Sequence, residues 1–305
     1  MKDISVTYLG GSGFLTWYGD TGFLFDASST GPDERILPEP ETLRAFRRLF
    51  VFISHHHSNN FDPGIYSIVP EHTVFFLGYD IPDEYEGMRL KPGEETYLEG
   101  LSVKAFDSTD EGVSFLINLE GITLFHAGNL NLWHWREESS ITEIEAAEQA
   151  FYDCIAPILS EKPDIDVAFF PVDPRQGSMY DAGAGYFLMN LKPRVMIPMH
   201  FQGRGDVAMR FAVTNENDAT KIIVLQKAGE SVTFSIPESE NQAPDQKLID
   251  FLRDNPAEPD EPLVDNPAPE NVPDRIPDIE NEKAAGSETD TGIRTAEPSN
   301  DNIIF

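Results

Sequence analysis

Apolar positions over residues 1–236 follow two rhythms. Short runs at 4–9, 13–17 and 22–26 are rich in Val, Tyr, Phe and Leu and are separated by Gly10-Gly11, Gly13 and Gly19-Asp20. This pattern predicts a meander of short antiparallel strands. A helical stretch over about 41–48 leads into Leu49-Phe50-Val51-Phe52-Ile53, a continuous apolar run of the kind a central strand shows when both its faces are covered. Further strands are predicted at about 73–78, 101–106, 113–118 and 121–126. A long helix near 140–160 follows, and its start, Ser140-Ile141-Thr142-Glu143, has a capping composition. Strands at 166–171 and 194–198 each end in a polar cluster. Hairpin strands and then alternating strands and helices, in two rounds, predict an α/β protein of two β-rich halves with helices outside. The duplication is one of topology, with no repeat in the sequence.

Composition divides the chain. From Pro237 to Phe305, 18 acidic residues stand against 5 basic ones, and 10 of the 23 prolines fall there. Such a segment buries too little apolar surface to offset its ordering entropy, so 237–305 is read as a disordered acidic tail beside a folded domain, 1–236. Two apolar clusters in it, Leu248-Ile249-Asp250-Phe251-Leu252 and Ile303-Ile304-Phe305, offer a docking point for a protein partner or for the domain itself. The net charge of −31 opposes binding to nucleic acid or to anionic lipid. No run of 18 apolar residues and no basic-then-apolar leader occurs, and the single cysteine, Cys154, sits among apolar residues. A cytoplasmic protein with no membrane segment is expected.

The candidate chemistry gathers where buried runs stop. Ser54-His55-His56-His57-Ser58-Asn59-Asn60-Phe61-Asp62 directly follows the central apolar strand. In an extended segment His55 and His57 project to one side, so their imidazoles can converge on one ion while His56 points elsewhere. A polar loop is the competing reading. Three more strand ends carry polar residues: Ser108-Thr109-Asp110, His126-Ala127-Gly128-Asn129 and Pro198-Met199-His200. Strand ends are where α/β folds collect their sites.

Six ordered blocks carry a family resemblance over about residues 1–235. They are Tyr8-Leu9-Gly10-Gly11-Ser12-Gly13-Phe14, Ser54 to Phe61, Ser108 to Phe115, Phe125-His126-Ala127-Gly128-Asn129-Leu130-Asn131, Phe170 to Arg175, and Ile197-Pro198-Met199-His200. Together they resemble metallo-β-lactamase-fold hydrolases, nearest the branch similar to ascorbate-6-phosphate lactonase. The resemblance implies a four-layer αββα sandwich. In that family a first motif reads His-x-His-x-Asp-His, a later one His-Ala-Gly-Asp, and a last His follows a strand. Carried over, it implies His55, His57 and His200 as metal ligands, with Asp110 as a fourth. Asn59 stands where the water-orienting Asp is expected, Asn60 where a second-metal His is expected, and Asn129 where the bridging Asp is expected.

Carboxamide in place of carboxylate keeps shape but removes an anionic donor. Two ions are therefore disfavoured, and one divalent ion is the expected cofactor: zinc first, manganese or iron next, or none. The catalytic positions implied are Asn59, which cannot accept a proton, and Asp110. Arg175 is a candidate contact for a substrate carboxylate or phosphate, with an ion pair to a neighbouring acid as the alternative. Asp173 reads as a turn cap. Trp133, His134 and Trp135 either line the pocket mouth or pack on the following helix, the second being favoured, and His126 reads as a supporting hydrogen-bond partner. Two functions remain open. One is a weak hydrolase of a small ester, lactone or phosphorylated metabolite; the other is a non-catalytic relative that binds a metabolite or a protein.

Overall fold

The computed structural model describes residues 1–237, so the acidic tail read from the sequence lies outside the described residues. The first half opens as an antiparallel meander, β1 (Lys2–Gly10), β2 (Gly13–Tyr18) and β3 (Thr21–Phe25). Positive φ at Gly10 (100°) and Gly11 (60°) makes the tight first turn, which L-residues with a Cβ resist. The chain then crosses over through α1 (Pro40–Arg44) to β4 (Arg48–Ile53), and through α2 (Ile65–Ile68) to β5 (Val74–Gly78), with β6 (Met88–Leu90) at the edge. These three strands continue parallel from β3.

The second half repeats the plan. An antiparallel set, β7 (Glu95–Leu98), β8 (Leu101–Phe106), β9 (Ser114–Leu119) and β10 (Ile122–His126), comes first. Parallel strands follow: α3 (Ile141–Glu161) leads to β11 (Val167–Pro171), α4 (Ala182–Leu191) to β12 (Val195–Met199), and α5 (Gly205–Thr214) to β13 (Lys221–Ile222). β14 (Ser231–Ile236) returns to pair antiparallel with β1. The result is two seven-stranded sheets, with the layers of the expected sandwich.

β4 shows why the apolar run is continuous. Phe50 and Phe52 face the layer between the sheets, where Phe52 meets Phe115 of β9 at 5.5 Å. Leu49, Val51 and Ile53 face outward and pack with Leu43 of α1 and Ile65 of α2. Phe52 is fully buried, and truncating it to alanine should cost about 3–5 kcal/mol. On the other sheet Phe151, Ile155 and Ile158 of α3 and Phe187 and Leu188 of α4 are buried in the main core. The start of α3 is a capping box: the Ser140 hydroxyl accepts the Glu143 N–H, and the Glu143 carboxylate accepts the Ser140 N–H at 2.8 Å.

Three local expectations change. The helix expected over 41–48 stops at Arg44, because the N–H groups of Arg47 and Arg48 turn to the carbonyl of Asp20 and start β4. α4 and α5 were not foreseen: α4 carries Gly183 and Gly185 and α5 begins at Gly205, weak helix formers that tertiary packing overrides. β6, β7 and β14 are short or half-exposed strands with a weak apolar signal. Among the described residues no helix is long and apolar enough to cross a membrane.

Candidate metal centre

Asp26, just past β3, organises the end of β4. It is buried, its φ is +39°, and its carboxylate accepts the Ser54 N–H (2.7 Å), the Ser54 hydroxyl (2.6 Å) and the Asn60 side-chain amide (3.0 Å). Having given its proton to Asp26, the Ser54 oxygen faces His55 Nδ1 at 2.8 Å with lone pairs only. Nδ1 must therefore carry the imidazole proton. This leaves His55 Nε2 with a bare lone pair, and that atom is buried with no hydrogen-bond partner. Burial lowers the His55 pKa and outweighs the opposing pull of Asp26, keeping the ring in the neutral form that a metal ligand needs.

Around His55 the other predicted residues come close but are engaged with one another. The His57 ring lies 5.0 Å from that of His55 at 80°, is half exposed, and pairs through Nε2 with Glu111 at 3.0 Å. The segment bends after Ile53 instead of staying extended, so the two imidazoles are adjacent but differently partnered. His56 is exposed; its backbone N–H donates to Asp80. Asp110 accepts the Asn129 side-chain N–H at 2.7 Å. The carbonyl oxygen of that amide, like Asn60 Oδ1, is buried and unpartnered. Asn59 is half-buried, and its backbone carbonyl takes a hydrogen bond from Arg35.

The end of β12 is built differently. His200 has a φ of +64°, and its N–H donates to the Gly11 carbonyl at 3.0 Å. Its Nδ1 meets Asp173 Oδ2 at 2.8 Å, the nearer and anionic partner in comparison with Gln202 at 3.2 Å. This carboxylate–imidazole pair fixes the ring and leaves Nε2 for another partner, as carboxylates behind metal-binding histidines do. Burial works to raise the Asp173 pKa, but hydrogen bonds from His200 and Arg175 prevail and hold it at about 2. Arg175 makes the anticipated ion pair, Nη2 to Asp173 Oδ2 at 2.6 Å, while its side chain stays 55% exposed. It also feels the charge of Asp110.

Trp133 links the two ends. Its indole N–H donates to the Asn129 carbonyl at 2.7 Å, and its ring lies 5.6 Å from His200 and 6.4 Å from Trp135. It therefore stands at the site, where packing on the following helix was favoured. His126 lies in the core, stacked on Phe25 at 4.9 Å with Nε2 on the Ser12 carbonyl. Cys154 is a buried thiol pushed up to about 11 by burial.

Donor chemistry suits one ion better than two. Two oriented imidazoles, His55 and His200, leave Nε2 for a ligand, and the charge of Asp110 is felt at His55. Among the described residues no three His, Cys, Asp or Glu side chains are gathered to hold an ion between them. A third ligand requires Asp110 to turn from Asn129 or His57 to turn from Glu111. A dinuclear centre does not fit, since Asn59, Asn60 and Asn129 supply no anion or imidazole.

Sequence reasoning missed Asp26 and the Asp33–Arg35 pair, ranked a pocket position for Trp133 second, and read Asp173 only as a turn cap. The signal for Asp26 was present: an acid closing the apolar run Phe23-Leu24-Phe25.

No family model matches the chain, and no curated protein does. Solved structures do. Igni18, a metallo hydrolase from Ignicoccus hospitalis, is 20% identical, with a TM-score of 0.57 over 77% of this chain and all of that one. A protein from Veillonella parvula described as a possible metal-dependent hydrolase is 14% identical, with a TM-score of 0.53 over 75% of this chain and 99% of that one. The CmlA β-hydroxylase, as its E377D mutant, is 10% identical, with a TM-score of 0.52 over 76% of this chain and 54% of that one. At these identities the likeness is one of fold, and the hydroxylase illustrates that the fold serves more than one chemistry. None of these three is an ascorbate-6-phosphate lactonase.

Proposed function

We propose that this metallo-β-lactamase-fold chain is a metal-dependent hydrolase of small esters, lactones or phosphorylated metabolites, working with one divalent ion, zinc by its donor chemistry. The observation that carries the reading is the buried, unpartnered lone pair on His55 Nε2. A buried polar atom without a partner costs about 1–3 kcal/mol, and here the Asp26–Ser54 relay holds the ring in the tautomer that ligates through Nε2. His200, oriented by Asp173, is the second ligand, and Asp110, released from Asn129, the third. A bound zinc ion would lower the pKa of its water to about 7.

This chain's own residues do the rest. Asp173 keeps His200 fixed in orientation, Arg175 presents its half-exposed guanidinium to an anionic group, and Trp133 walls the site against water. Asn59 cannot take a proton from the attacking water, so slow turnover is expected. A panel of small esters, lactones and phosphoesters, assayed with zinc and again with chelator, tests the reading. Slow turnover abolished by chelator and by H55A or H200A supports it; a zinc-loaded protein with no turnover on any member contradicts it.

The alternative reading is a non-catalytic protein that binds a metabolite or a protein. The Asn129–Asp110 and His57–Glu111 contacts already occupy two prospective ligands. In that case the site binds metabolites with unchanged affinity in the presence of chelator.

A further inference from the structure

The segment after Asp26 contains a buried ion pair that the proposed chemistry does not use. Arg35 Nε meets Asp33 Oδ1 at 2.8 Å, with side-chain exposures of only 2% and 3%. The pair reaches two loops of the site. Asp33 Oδ2 accepts the Gly11 N–H at 3.0 Å, and Arg35 Nη1 donates to the carbonyl of Asn59, in the loop that carries His55 and His57. The Gly11 carbonyl in turn accepts the His200 N–H at 3.0 Å. Room has been made for this guanidinium: a Cβ at Gly11 or at Gly31 would overlap it. Directly after Arg35 the segment is pinned again, by the Ile36 N–H on the Leu9 carbonyl at 3.0 Å.

We infer that Asp33 and Arg35 are positioning residues that set the distance between the His55–His57 loop and His200. Burying two charges brings little net stability when a well-packed apolar pair would serve as well, whereas a rigid planar fork fixes geometry. Each of the two imidazole-bearing loops is joined to the pair by a backbone hydrogen bond, one directly and one through Gly11. The significance for metal binding rests on the proposed function; the positional claim does not.

The test uses the full chain and two readouts. Long-range nitrogen–proton spectra of the histidine rings, recorded without added metal, compare the parent with R35M, R35K and D33N. The expected result is displaced His57 and His200 ring signals in R35M and D33N, partial recovery in R35K, and an unmoved signal from His72. Zinc affinity by chelator competition should fall about tenfold in R35M, about 1.4 kcal/mol, and by less in R35K. A lower Tm with His57 and His200 signals at their parent positions overturns the inference and leaves a merely structural pair. If the parent binds no zinc, the proposed function fails while the ring spectra still decide this claim. Should R35M not fold, D33N and R35K carry the same comparison.

Discussion

The ends of β4 and β12 each present an imidazole, and they differ in how completely its surroundings are built. At the end of β12, His200 is held by an ionised carboxylate that Arg175 also binds. At the end of β4, His55 is held through a hydroxyl relay, and three polar atoms nearby, His55 Nε2, Asn60 Oδ1 and Asn129 Oδ1, are buried without partners. Two of these atoms belong to asparagines, Asn60 and Asn129, which offer only neutral oxygen. The groups that aim the two histidines are in place, and Asn59, Asn60 and Asn129 beside them add no anion or imidazole.

Removing the carboxylate from the finished end should cost most. Asp173→Ala leaves His200 and Arg175 without their shared partner inside the protein, and urea denaturation should register a loss of about 3 kcal/mol. A loss under about 1 kcal/mol would mean that the pair contributes little. The same carboxylate makes a pH prediction. Its folded pKa of about 2 lies below the ordinary aspartate value of 3.8, so its contribution is complete above about pH 4 and disappears as the pH falls through about 2. Over that window the parent should lose on the order of 2 kcal/mol more than D173N; parallel acid-unfolding curves would contradict this.

At the less complete end, Ser54→Ala removes the relay and leaves both the Asp26 carboxylate and His55 Nδ1 short of a partner. A loss of about 2 kcal/mol is expected, together with a ring-nitrogen spectrum in which His55 no longer holds its proton on Nδ1 alone. An unchanged tautomer would break the proposed relay. Asn129→Asp sharpens the contrast further. Without metal, a second carboxylate beside Asp110 should cost about 1 kcal/mol by like-charge repulsion, and zinc should more than restore that loss. The smallest effect belongs to Trp135, exposed at 37%, whose change to alanine should stay within about 0.5 kcal/mol in a thermal melt.

What was legible in the sequence follows the same division. Leu49 to Ile53 identified a doubly covered strand because burial on both faces leaves a continuous apolar run, and the Ser140–Glu143 cap marked the start of α3. The layers followed from the order of these runs. α4 was not legible, since its Gly183 and Gly185 argue against a helix that packing of Phe187 and Leu188 secures. At the site, the histidines and the three asparagines were visible as residue types. Their partners were not: Asp26 is 29 positions from His55 and Asp173 is 27 from His200. Arg35 gave no signal, because its meaning lies in a backbone carbonyl and in two glycines that only the fold brings near.

Zinc stoichiometry decides whether the proposed single ion sits at His55 and His200. After equilibrium dialysis against buffered zinc, elemental analysis should find about one zinc per chain in the parent, almost none in H55A, and about two in the N59D/N60H/N129D variant, in keeping with the donor count of each site. Parent protein that is folded yet holds no zinc, or that already holds two, would contradict it.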